Sequence, residues 1–231
     1  NWVWKMCRIC AHGVVGNPYL KSKLHNHNPN LTIIPTCVDV QAHEPKRSYQ
    51  IHSKRPFVLG WAGLSSNLIN LDSIQGALKT LASRHEIVLM VASDKDYQME
   101  GVNVQNRKWQ LQHEFDYLRD SDIGLMPLVD SDCARGKCGF KALQFMSVGT
   151  PCVISPIGIN TEIVEDGGNG FLAESQTEWV EKLEALICDP ELRRQLGVSA
   201  RQTVFERFSH SACYPKFKKV IDQVAELRPK E

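Results

Sequence analysis

The chain is predicted to fold as an α/β protein, a doubly wound parallel sheet of the Rossmann-like kind. Two observations carry the prediction. From Pro56 onward, short apolar runs alternate with segments of helical periodicity, the pattern that crossover connections impose on parallel strands. Glycine-rich turns punctuate that alternation at residues 60–67 and 166–170.

Each element can be justified in order. Residues 56–62 (PFVLGWA) read as a buried strand. Residues 72–85 place Ile74, Ala77, Leu78 and Leu81 on one helical face, with Asp72 as the N-cap. Residues 86–92 (EIVLMVA) form the next strand, and a further loop begins after Gln105. Residues 115–120 are helical, 122–126 a strand, 139–148 an amphipathic helix and 151–155 another strand. The turn at 166–170 returns Phe171 and Leu172 to the core. From Ser175 the chain is mostly helical, opened by the capping box Ser175-x-x-Glu178. Ahead of this alternation, residues 14–24 suggest a helix and 31–35 a strand ending in PTCVD. Residues 41–55 are polar, with Pro45 and four Lys or Arg, and read as a linker.

Composition narrows the partners. A length of 231 residues, 42% hydrophobic and 23% charged, fits one large globular domain with part of another. A net charge of +1 provides no field to gather nucleic acid or an acidic membrane, so any basic chemistry must be local. No apolar run approaches the roughly 20 residues that span a bilayer, and no signal peptide is visible. The chain opens on Asn1 without an initiator Met, which reads as a fragment or a processed product. Eight cysteines include one Cys-x-x-Cys, Cys7 and Cys10, with no second pair at a zinc-ribbon spacing. Reduced, structural cysteines and a cytoplasmic chain are the expectation.

Residues 135–172, RGKCGFKALQFMSVGTPCVISPIGINTEIVEDGGNGFL, hold the strongest functional signal. Arg135 and Lys137 precede Gly139, which opens a helix. Unpaired N–H groups and the positive dipole end of a helix, with added cations, make a phosphate site. Residues 60–67 (GWAGLSSN) follow a strand and precede a helix, as an anion-binding loop does.

This run resembles the donor-binding half of retaining glycosyltransferases of the GT-B fold, the group 1 type. The resemblance extends over residues 14–224 and is most specific at 125–172. It implies that residues 1–40 are a remnant of the N-terminal acceptor domain, 41–55 a linker, and 56–231 the nucleotide-sugar-binding domain. The implied reaction moves a sugar from a nucleoside diphosphate to a hydroxyl, in surface polysaccharide or lipopolysaccharide assembly. The implied partners are the nucleotide sugar donor and the missing acceptor domain, which would also supply any peripheral membrane contact. No cofactor and no nucleic acid are expected.

On this resemblance Lys137 and Arg135 stabilise the leaving diphosphate. Gly63, Ser65, Ser66, Asn67, Ser93, Trp109, Gly139, Phe140, Lys141 and Gln144 bind the donor. No metal is expected, because the basic helix opening offers an alternative. Asp-x-Asp pairs do occur at Asp94/Asp96, Asp120/Asp122 and Asp130/Asp132, a pattern short enough to recur by chance. Trp109 either lines the base pocket or packs in the core. Glu114, Asp122 and Asp130 read as structural or capping. Many relatives carry two glutamates separated by seven residues; here those positions hold Gly136 and Gln144. The departure leaves sugar identity open and keeps a non-catalytic nucleotide-binding module as the alternative. A nucleotide-sugar epimerase is a third reading, for which no acidic or histidine catalyst can be placed.

Overall fold

A computed structural model describes residues 2–50 and 55–226. Strands β1 (Gly13–Val15) and β2 (Leu31–Ile33) pair in parallel as a small sheet of their own. The larger sheet contains β3 (Phe57–Ala62), β4 (Ile87–Ser93), β5 (Val104–Lys108), β6 (Ile123–Met126), β7 (Cys152–Ile154) and β8 (Phe171–Leu172). Their spatial order is β5-β4-β3-β6-β7-β8, and every pair is parallel. The chain winds outward from β3 to β5, returns beside β3, and winds outward again from β6.

The period-two alternation of strand side chains decides how the sheet is covered. Leu59, Leu89, Val91, Ile123, Leu125 and Val153 join one core, closed by Leu78 and Leu81 of the Gln75–Arg84 helix and Trp179 and Leu183 of the Gln176–Cys188 helix. Met126, Cys152 and Ile154 join the other, with Leu118, Leu143, Phe145, Met146 and Val204 from three further helices. Burial in this second core pushes the Cys152 thiol up to about 12, so it is an inert packing group.

Gly124 brings the Phe140–Ser147 helix close to the sheet, and Gly60 makes room for Ser121 just before β6. A Cβ on Gly124 would lie 2.4 Å from Cγ of Phe145, and one on Gly60 would lie 1.8 Å from Oγ of Ser121. With no side chain in the way, the Phe145 ring rests on the strand backbone. The helix runs back against β6, so its N-terminus stands at the carboxyl ends of the strands.

Several boundaries differ from the sequence reading. The predicted helix over 14–24 is a strand and a shorter helix. Val14 and Val15 pair with β2, and the helix starts only at Pro18, where the Asn17 side chain accepts from the Leu20 amide at 2.8 Å. Asp72 is not an N-cap; it ends a short Ile69–Asp72 helix and accepts from the Tyr97 hydroxyl at 2.6 Å. The next helix begins at Gln75, where the Ala77 amide donates to the Gln176 side chain at 2.8 Å. β5 continues to Lys108 instead of stopping near Gln105. The Ser175–Glu178 capping box forms as read.

Within the stretch read as a linker, residues 51–54 lie outside the described residues. The remainder is tied to the larger unit. His43 Nδ1 is 2.9 Å from Ser147 Oγ, and the Tyr49 hydroxyl donates to the Gly149 carbonyl at 2.8 Å. Lys46 Nζ donates to the carbonyls of Arg119 and Ser121, both at 2.7 Å. Arg55 forks the Asp122 carboxylate with two bonds of 2.7 Å. Burial pulls the Lys46 ammonium down to about 8, and Asp122, 4.0 Å away, offsets only part of that. Among the described residues no helix is long and apolar enough to cross a membrane.

Candidate functional site

In an open α/β sheet the ligand crevice forms beyond the carboxyl ends of the strands, where the winding changes direction. Here that point lies between β3 and β6. A cleft of about 410 Å³ occupies it, within the range of small-molecule sites. Trp61 to Leu64 leave β3 along one wall, and Leu125 to Leu128 leave β6 along the other. Gly136 to Lys141 close the end, with Asn67 and Asn70 beside them.

Local constraints explain the glycines. Gly63 packs on Trp61, where a Cβ would come within 2.8 Å of the indole. Gly139 has φ +67°, and a Cβ there would also meet Ile163 at 2.3 Å. It turns the chain sharply into the Phe140–Ser147 helix, whose start no side chain caps. The first helical residues, Phe140 and Lys141, line the cleft. A helix start with free N–H groups thus faces the crevice.

The three predicted cations have different situations. Lys137 Nζ donates to Asn67 Oδ1 at 2.8 Å, and among the described residues it has no carboxylate partner. Arg135 points elsewhere. Its guanidinium grips Asp130 through bonds of 2.8 and 2.6 Å and holds that carboxyl below the usual carboxylate range. It lines a neighbouring cavity of about 300 Å³ with Tyr19, residues 155–158 and Glu174, so it does not share the cleft with Lys137. Lys141 is neutralised locally, bonded to Glu114 at 3.0 Å and to the Gln144 side-chain Oε1 at 2.8 Å.

Glu114 is the hub of this second group. Burial alone would raise its pKa, but the Lys141 charge, with bonds from Lys141, Gln144 and Trp109, outweighs it and keeps the carboxyl below its ordinary value. Trp109 Nε1 reaches Glu114 at 3.3 Å while its ring stays 42% exposed. Trp109 and Gln144 therefore stand behind Lys141, one step from the cleft wall.

Of the other predicted residues, Gly63 and Asn67 line the cleft and Ser66 is exposed outside it. Ser65 turns away, its amide and hydroxyl donating to Asp94 at 2.6 and 2.9 Å. Those two bonds lower the Asp94 pKa. Ser93 is buried beneath, with its hydroxyl 3.3 Å from Asp94. Among the described residues no three His, Cys, Asp or Glu side chains converge as a metal site.

Sequence reasoning missed Asn70 and the role of Glu114. Asn70 is buried; it donates to the Asn67 carbonyl at 2.9 Å and accepts from the Val129 amide at 2.9 Å, fixing both walls. Its partner lies 59 residues away, so no local pattern announces it.

A sequence model of the family described as glycosyl transferases group 1 matches residues 56–189. The chain belongs to this family. The match takes in both walls of the cleft and the helix at its end. Among curated members, the chain is 33% identical over 72 residues to N-acetyl-alpha-D-glucosaminyl L-malate synthase of Bacillus anthracis, 30% of this chain and 19% of that protein. It is 30% identical over 117 residues to the putative glycosyltransferase EpsD of Bacillus subtilis, 48% of this chain and 30% of that one. The chain thus matches less than a third of each of these relatives' length.

Solved structures carry the same fold at low identity. Anabaena Alr3699/HepE, solved in complex with UDP-glucose, superposes with a TM-score of 0.77 at 13% identity, covering 96% of this chain and 66% of that one. A glycosyltransferase from Rickettsia africae gives 0.75 at 14% identity, covering 99% and 68%. The larger sheet therefore has the Rossmann-like fold of GT-B glycosyltransferase domains.

Proposed function

We propose that the cleft binds a nucleoside diphosphate sugar. We assign to the whole protein the transfer of that sugar to a hydroxyl acceptor, with retention of configuration and without a metal. One observation carries the reading: Lys137, with no carboxylate partner among the described residues, stands beside an uncapped helix start at the switch-point crevice. When the sugar–phosphate bond breaks, negative charge grows on the diphosphate. A lysine contributes about 1.5–3 kcal/mol through a charge-assisted hydrogen bond, and a helix terminus about 0.3–1 kcal/mol. Both are in place before the charge develops.

In this reading residues 1–40 belong to the acceptor side, 41–55 connect, and residue 56 onward holds the donor. Gly63, Asn67, Gly139 and Phe140 meet the donor directly, and Trp109, Lys141 and Gln144 serve its nucleoside end. Arg135, held by Asp130 in the neighbouring cavity, is set apart from the diphosphate that Lys137 meets. Transfer belongs to the cleft between the two sides, so the isolated chain binds the donor and turns it over slowly at most. Surface polysaccharide assembly on the cytoplasmic side is the setting proposed by family analogy. The test is calorimetry with uridine and guanosine diphosphates, with and without a chelator. Binding that survives chelation supports the reading, and binding that vanishes with the metal overturns its metal-free part.

A second reading has its own support. Gly136 and Gln144 offer no carboxylate where many family members have two, which favours a module that binds nucleotide sugar without transferring it. Release of nucleotide from the donor by the whole protein separates the two.

A further inference from the structure

Asn17 is wholly buried, at 0% exposed, yet it belongs to the small first unit, two residues beyond β1. Both ends of its side chain are engaged. Oδ1 caps the Pro18–Leu24 helix. Nδ2 donates to the Lys137 carbonyl at 2.9 Å and to the Arg135 carbonyl at 3.4 Å. The same helix touches this loop elsewhere. Leu20 lies 3.5 Å from where a Cβ on Gly136 would stand, and Lys23 Nζ is 3.7 Å from Asp132.

A trans peptide points its C=O and N–H in opposite directions. Holding the Lys137 carbonyl toward Asn17 therefore turns the Cys138 N–H the other way, and Cys138 is a cleft residue. Among the described residues no backbone acceptor takes that N–H. It is a donor with a fixed direction, next to the lysine and to the uncapped helix start. A rotated peptide would present a carbonyl oxygen to the same place and repel an anion.

We propose that Asn17 is a positioning residue for the donor diphosphate: it fixes the peptide after Lys137 so that the Cys138 N–H and Lys137 face the cleft together. This rests on the diphosphate reading above and extends it, since the group that sets the phosphate site comes from outside the larger sheet. Coupling is reciprocal. A bound diphosphate, by holding the peptide, in turn steadies Asn17 and the helix that it caps.

Asn17→Asp isolates the effect, because aspartate caps a helix as well as asparagine does but donates to neither carbonyl. Asn17→Ser is the uncharged companion. Affinities for UDP and for uridine are measured by calorimetry on the full chain, with melting temperatures alongside. UDP affinity is expected to fall by about tenfold, the scale of one lost hydrogen bond, while uridine affinity holds. In the unsubstituted protein, UDP is expected to slow hydrogen exchange at the Leu20 amide, an arm that needs no variant. Folded variants that bind UDP undiminished, equal losses for UDP and uridine, or exchange at Leu20 indifferent to UDP would each overturn the proposal. If the unsubstituted chain binds no nucleoside diphosphate, the diphosphate reading falls and takes the proposal with it. If it binds UDP in a Lys137-dependent way while the Asn17 variants are unaffected, only the role of Asn17 falls.

Discussion

Lys137 Nζ and Asn67 Oδ1 meet at 2.8 Å, joining two loops 70 residues apart in sequence. One loop follows β3 and the other follows β6, so the bond spans the switch point. An amide oxygen orients the ammonium without cancelling its charge. The contact works as a latch that a phosphate oxygen can displace, in contrast to the carboxylate grips on Arg135 and Lys141.

Lys137→Ala is accordingly expected to weaken UDP binding by about 1.5–3 kcal/mol and leave uridine binding nearly unchanged. Lys218→Ala is the control, since Lys218 pairs with Asp222 on an exposed helix face. Calorimetry on both variants decides it. Equal losses for UDP and uridine would move Lys137 out of the phosphate role.

Trp109→Leu distinguishes the two roles open to that residue. Trp109 is 42% exposed and makes one long bond to the buried Glu114, so stability should fall by about 0.5–1.5 kcal/mol. Nucleoside affinity should drop by about 1–3 kcal/mol if a base stacks there. A lowered melting temperature with unchanged affinity would mark Trp109 as a packing residue.

Lys46 makes stability depend on pH in the alkaline range. Its folded pKa, about 8, lies below the ordinary lysine value of 10.5. Between those values the unfolded chain binds more protons than the folded one, so stability rises with pH. Below pH 8 the full cost of burying the ammonium is present. It is relieved progressively between about pH 8 and 10.5, by up to ~3 kcal/mol. Denaturant melts at pH 7 and pH 9.5 should show this gain in the unsubstituted chain and its absence in Lys46→Met. A Lys46→Met difference that does not change with pH would contradict the assignment.

Gly124→Ala tests the close approach of the Phe140–Ser147 helix. The new methyl would press on the Phe145 ring, and overpacking of this kind costs about 1–3 kcal/mol. For a chain of this size that is a fall of roughly 2–4 °C in Tm per kcal/mol. An unchanged melting temperature would mean that the helix can retreat from the sheet.

Much of this was legible in the sequence, and the reason is local. Residues 56–62, 86–92 and 139–148 announce themselves by apolar runs, periodicity and a glycine at the turn. The capping box at Ser175 needs only its own four residues. What stayed hidden depends on contacts at long range. Nothing near Asp72 says that Tyr97 claims its carboxylate, or near Ser65 that Asp94 takes its donors. Arg135 and Lys137 look equivalent as neighbours, and only Asp130 separates them. Glu114 reads as a structural or capping acid, and its place at the centre of a group shows only when Lys141 and Trp109 are seen beside it. The helix read over 14–24 failed because two adjacent valines fit either period, and β2 decided between them.

The order of the strands gives the cleft and the residues behind it two kinds of support. β3 and β6 are interior, each held by a ladder on both sides. Both cleft walls are mounted on them, so their spacing is as stiff as the centre of the sheet. Trp109 hangs from β5, the edge strand, one residue past its end. Substitutions there disturb a single ladder and leave the central pair untouched. In the proposed function, preference among bases can therefore drift, or be redesigned, while the grip on the leaving group stays constant.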